Sequence, residues 1–276
     1  MDLSRAHASF GALFMRVTWL SRSFILGLVV SLAVVPLDSR ASTIAYAGEF
    51  LPGGFDFDRL NFTDPREVVG RLDIFPAAGA FADGDFTREY MVDYTLGRLF
   101  SVDVLSGNTT LIGNVDTSGN GTMGMHWDPT SAQMFLIATD ASCATSTLYT
   151  LDLSDASTVA IGSTPGCIIG FAIDADGRAF GIDQATDALV SIDTATGAAT
   201  AIGPLGIHPQ ALISGFDFDP SSGELYLFGI DYDTRGRFEI DTALGTATFV
   251  EPYDWSYLGL AFAEPLDPIM ANGFDP

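Results

Sequence analysis

The sequence predicts an all-β chain, a five-bladed β-propeller closed by strands from both termini. Three observations carry this. An element of the form glycine–apolar–x–apolar–acid recurs at Gly124, Gly170 and Gly215, and again at Gly259 with Ala263 in place of the acid, so the glycines stand 46, 45 and 44 residues apart. Each period holds four short runs rich in Val, Ile, Phe, Tyr and Thr, punctuated by Gly, Asp, Pro and Ser; that is the composition of strands and tight turns. No apolar pattern of helical period runs for ten residues after residue 41. A four-stranded repeat of about 40–45 residues is the signature of a propeller blade.

Each strand of the repeat has its own mark. Full repeats begin near residues 80, 121, 168 and 213, each with an inner strand. Second strands end at Asp93, Asp140, Asp183 and Asp231. Third strands end at Asp103, Asp152, Asp193 and Asp241, where an Asp side chain accepts backbone N–H groups of the following turn. Outer strands follow at 109–113, 158–162, 200–203 and 246–250. One more inner strand, near 257–263, is left at one end of the chain, and three strand-like runs, 43–50, 55–62 and 67–74, are left at the other. Joined, they make a mixed fifth blade and leave no inner edge unpaired.

The repeat sequences themselves carry a resemblance. The stretch 189–203, Leu-Val-Ser-Ile-Asp-Thr-Ala-Thr-Gly-Ala-Ala-Thr-Ala-Ile-Gly, and the stretch 215–226 resemble repeats of secreted bacterial β-propeller proteins, a group allied to YVTN, NHL and quinoprotein-dehydrogenase-like propellers. The resemblance covers roughly residues 80–263. It implies the fold and supplies no catalytic residue.

The first 41 residues read as a targeting segment. Arg5, Arg16 and Arg22 precede an apolar run at 24–35, then Pro36 and a small-residue site ending at Ala41. This is the layout of a secretory signal peptide, and the run is shorter than the ~20 residues of a membrane-spanning helix. Either Met1 or Met15 serves as the start. The expected organisation is a signal peptide over 1–41, a propeller over 42–264 and a tail over 265–276. The mature chain is expected outside the cytoplasm, extracellular or periplasmic, as a monomer with no transmembrane segment.

Charge excludes some partners. The chain has 35 acidic residues, 28 of them Asp, against 12 basic ones, all Arg, for a net charge of −23. Nucleic acid and anionic lipid both need a basic footprint, and none exists. HExxH, paired Cys-x-x-Cys, nucleophile-elbow, Walker and dinucleotide motifs are all missing.

What chemistry remains is sparse. His126 and Asp217 share a register position on predicted inner strands and face the central channel together, with Asp85 nearby. Tyr232, Tyr253 and Trp255 fall on loops of one face, joined there by Tyr94 and His208, and aromatics beside Asp suit a glycan or peptide. Asp93, Asp140, Asp183 and Asp231 would form an acidic ring on one face, a place for a cation, with local turn bonding as the plainer role. The fragments Asp174-Ala-Asp-Gly177 and Asp231-Tyr-Asp233 suggest calcium but lack the rest of an EF-hand loop. Cys143 and Cys167 are the only two cysteines. In an oxidising compartment they are expected to pair, since the repeat places both in loops of the same face. That bridge would pin one rim of the aromatic face.

The function expected is that of a secreted, non-catalytic binding module for a protein, peptide or glycan. The alternative is an extracytoplasmic enzyme, of lyase, lactonase or glycosidase type, with its site at the channel mouth.

Overall fold

Inner strands of the repeat are more apolar than outer strands, and burial follows that gradient. The computed structural model describes residues 44–61, 66–209, 215–231, 234–252 and 257–263. Among these residues there are twenty strands and no helix, hence no helix long and apolar enough to cross a membrane.

Three four-stranded antiparallel sheets come from consecutive strands. The first holds β4 (Pro76–Ala82), β5 (Asp85–Asp93), β6 (Arg98–Asp103) and β7 (Thr109–Asn114), preceded in the chain by β1 (Ile44–Leu51), β2 (Gly54–Asn61) and β3 (Glu67–Leu72). The second holds β8 (Gly121–Asp128), β9 (Gln133–Thr139), β10 (Thr145–Leu151) and β11 (Thr158–Pro165). The third holds β12 (Ile168–Ile173), β13 (Ala179–Asp183), β14 (Ala188–Ile192) and β15 (Ala199–Pro204). The remaining strands are β16 (Gly215–Phe218), β17 (Leu225–Asp231), β18 (Thr234–Ile240), β19 (Ala247–Pro252) and β20 (Tyr257–Ala263). They join β1–β3 in one eight-stranded sheet, ordered β19-β18-β17-β16-β20-β1-β2-β3. That sheet is two units of four, linked by a single parallel contact between Gly215 and Leu260. In the mixed unit β20 pairs antiparallel with β1, Ala263 opposite Ile44 and Phe262 opposite Ala45. Twenty strands in units of four amount to about five blades.

The core lies between units rather than within them. Ala80, Val92 and Leu99 of the first unit pack with Met125, Met134 and Leu136 of the second. Phe135 and Ile137 of the second pack with Phe171 and Ile173 of the third, and Ile182 and Leu189 of the third with Phe216 and Leu227 of the fourth. Phe228 of the fourth meets Ala45, Ala47 and Phe262 of the mixed unit. Tyr46 and Phe57 of the mixed unit meet Phe81, Met91 and Val102 of the first.

A glycine clasp repeats at the periphery. A Cβ on Gly162 of β11 would lie 2.0 Å from the Thr196 carbonyl oxygen in the β14–β15 turn, so only glycine fits. Gly113 meets Asp155, Gly203 meets Leu244 and Gly70 meets Ser106 in the same way. Strand β19 breaks the series, with Glu251 where the others carry glycine. There the seam with the mixed unit is polar. Glu49 and Asp58, both buried, share the guanidinium of Arg66.

Candidate functional site

Antiparallel hairpins send the β4–β5, β8–β9, β12–β13 and β16–β17 turns to one face and the β5–β6 and β9–β10 turns to the other. On the first face the inner-strand ends surround a pocket of about 450 Å³. Trp127, Phe86 and Phe218 form partly exposed aromatic walls, and Phe262 and Ile173 close the base. Asp83, Asp174, Asp176, Asp219 and Arg178 stand around the mouth.

His126 of β8 and Asp217 of β16 meet in this pocket. The His126 Nε2 lies 2.7 Å from Asp217 Oδ1, and Nδ1 lies 2.9 Å from the Trp127 carbonyl oxygen. A carbonyl only accepts, so Nδ1 carries a proton; Nε2 faces a carboxylate, so it carries one too. The pair is an imidazolium and a carboxylate. Burial works against the charge on His126, but the adjacent Asp217 carboxylate, its hydrogen bond and the Trp127 carbonyl outweigh it, and the histidine pKa is raised. Asp217 is engaged as well. Its Oδ1 also accepts the Phe218 N–H and its Oδ2 accepts the Phe262 N–H, each at 2.8 Å.

Further along the inner strands a space of about 30 Å³ is lined by Gly79, Gly124, Gly170, Gly215 and Gly259, one glycine from each inner strand. A Cβ on Gly79 would come within 2.1 Å of the Gly259 carbonyl oxygen and 2.3 Å of Glu89 Oε1. Glycine here makes room for a carboxyl group. Glu89 of β5 is fully buried, and neither oxygen has a hydrogen-bond partner among the described residues. Burial, reinforced by the charge on Asp217, raises its pKa well above the usual glutamate range, so it keeps its proton where an exposed glutamate has lost it.

The structure brings together only part of the set expected from sequence. Asp85 does not join His126 and Asp217: it is exposed and its Oδ1 accepts from the Thr87 N–H and hydroxyl. The physical reason is an irregularity in the β4–β5 register between Ala80 and Ala82, which turns Asp85 away while Phe86 lines the pocket. Three of the second-strand aspartates are held by local donors. Asp93 accepts the Phe75 and Leu96 N–H groups. Asp140 accepts from Ser142 and Thr145, and Asp183 from Cys167, Ala185 and Thr186. The side chain of Asp231 lies outside the described residues. No cluster of three or more metal-ligating side chains occurs among the described residues.

Tyr232, Tyr253 and Trp255 lie outside the described residues. On the face opposite the pocket, Tyr94 packs on Phe75 and His208 bonds Asp187 at 2.8 Å. Cys143 and Cys167 form a disulfide, with Cα atoms 4.7 Å apart. As expected, the bridge joins two loops of one face, the face of Tyr94 and His208, which is opposite the pocket. Sequence reasoning missed Glu89, Arg178 and the aromatic walls. Glu89 left one signal: it shares strand parity with Met91, a core-facing position where an acid is out of place.

No protein-family model and no curated protein matches the chain. Solved structures do. TolB from Acinetobacter baumannii aligns with a TM-score of 0.53 at 15% identity, covering 81% of this chain and 55% of TolB. The chain thus spans just over half the length of TolB. A chain of the nidogen/laminin complex aligns with a TM-score of 0.52 at 15% identity, covering 76% of this chain and 77% of that one. Both are β-propeller proteins. This chain has the β-propeller fold. At such identity the likeness extends to the propeller's architecture and no further.

Proposed function

We propose that this chain is an exported five-bladed β-propeller that binds a ligand, without turning it over, in the pocket holding His126 and Asp217. The ring is closed by β20 pairing with β1, so that both ends of the chain share one blade. The apolar clusters between every successive pair of units support this count, including those on both sides of the mixed unit. A disulfide fits an oxidising compartment, as does the signal-like segment over 1–41, and residues 265–276 are a tail outside the ring.

The observation that carries the binding reading is the prior commitment of the His126–Asp217 pair. Both nitrogens of His126 and both oxygens of Asp217 are committed to each other and to backbone groups. A general base needs a lone pair facing its substrate, and His126 presents none. The pair is built as a rigid, polar floor under aromatic walls, the layout of a binding pocket.

Two measurements test this reading. Screening the purified protein against glycans, peptides and small molecules, read by the Trp127 indole resonance, should return ligands that move it. Turnover of a lactone or glycoside, abolished by His126→Gln, would replace binding with catalysis. N-terminal sequencing of protein recovered from the medium or periplasm should begin near Ser42, and an intact Met1 or Met15 would refute export.

A further inference from the structure

The charge and surface of the pocket narrow its ligand. Its lining carries five carboxylates, Asp83, Asp174, Asp176, Asp217 and Asp219, against one guanidinium and one imidazolium. Both cations are already paired with carboxylates. Arg178 donates its Nε to Asp174 at 2.7 Å and lies 3.4 Å from Asp176 through Nη2, and His126 pairs with Asp217. An anionic ligand would therefore meet an excess of three negative charges. A neutral sugar would compete for acceptors already in use, because Asp217, Asp174 and Asp219 accept bonds from their own strands and turns.

The aromatic walls point the same way. Trp127, Phe86 and Phe218 present partly exposed rings to one cavity. A ring face attracts a weakly hydrated cation, and indole does so best. A quaternary ammonium group needs no acceptor for its own hydrogens, so the prior commitment of the carboxylates costs it nothing. They act on it through their field, which is strengthened inside a pocket with apolar walls.

Resting on the reading of this pocket as the binding site, we infer that its ligand is a small organic cation with a quaternary ammonium head, seated among Trp127, Phe86 and Phe218. A pocket of about 450 Å³ holds a molecule of this size with a short polar tail directed to the mouth.

The test titrates the purified protein with three probes: choline, its neutral isostere 3,3-dimethylbutan-1-ol, and phenylacetate. Calorimetry and the Trp127 indole resonance follow each. Choline is expected to move Trp127 and to bind about tenfold more tightly than the alcohol, and phenylacetate is expected not to bind. Trp127→Leu should weaken choline about tenfold. Where that variant fails to fold, Trp127→Phe should weaken it less, and Asp83→Asn combined with Asp176→Asn, both at exposed positions, should weaken it severalfold and reduce its salt dependence. The alcohol matching choline, or phenylacetate binding better, with Trp127 responding, would overturn the cation while leaving the pocket a binding site. No response of Trp127 to any of the three would overturn the cation and count against the pocket as well.

Discussion

His126 and Asp217, 91 residues apart in sequence, join the second and fourth sheet units through one 2.7 Å contact that spans the third. The third unit offers only Ala172 at the same register. A small side chain there is what lets the pair meet across the channel.

Breaking that contact should destabilise the ring more than a surface change does. His126→Gln leaves the buried Asp217 carboxylate short of its charged donor, which costs roughly 1.5–3 kcal/mol for a bond to a charged group. Urea unfolding of both proteins measures it. The difference should depend on pH. Because the folded histidine pKa is raised above 6.5, the pair contributes fully below about pH 6.5 and loses its contribution as pH rises through the raised value. A difference that grew with pH would contradict the imidazolium assignment.

Glu89 and Asp58 should give stability a downward slope as pH rises above their unfolded values. Burial raises both, Asp58 to about 7 with Asp56 adding to it, against unfolded values near 4.5 and 3.8. Above those unfolded values the unfolded chain has released protons that the folded chain still holds. Stability therefore falls as pH rises towards the folded pKa values. Glu89→Gln should flatten the slope and raise the melting temperature at pH 8 relative to pH 5. Equal slopes in wild type and variant would show that Glu89 is ionised in the fold.

Removing the disulfide should cost stability and spare the pocket. Cys143 and Cys167 are 24 residues apart, and a loop of that length is worth about 3 kcal/mol in the chain-entropy view. Replacing both with Ser should lower the unfolding midpoint accordingly. Ligand affinity should stay unchanged, because the bridge and the pocket occupy opposite faces. Lost affinity with a folded ring would place the ligand on the disulfide face instead.

Ending the chain after Leu258 should abolish cooperative unfolding. The residues removed include Ala261, Phe262 and Ala263, which pair with β1, and Leu260, which meets Gly215. Their loss opens an inner edge and two apolar clusters to water. Calorimetry should show no sharp transition, and a transition like that of the whole chain would count against closure by both ends.

The propeller was legible because its signals are local. Glycine, apolar and Asp positions recur in each repeat, and the third-strand aspartates do accept turn N–H groups two residues on. The pairing of His126 with Asp217 was legible through register alone. Asp85 was not, since a register irregularity one strand away decides its direction. The acidic ring rested on the same kind of argument: residues at equivalent positions share a face, but the carboxyl groups of Asp93, Asp140 and Asp183 are held by nearby backbone N–H groups, which register does not reveal. Glu89 was hidden because its burial depends on the absence of a side chain at Gly79, a fact of packing between strands.

Five glycines, one from each inner strand, line a space of about 30 Å³, room for a water molecule and little else. The aromatic pocket and the disulfide lie on opposite faces of the sheets. A partner settling over the pocket would cover its ligand, while one settling on the disulfide face would leave the mouth open.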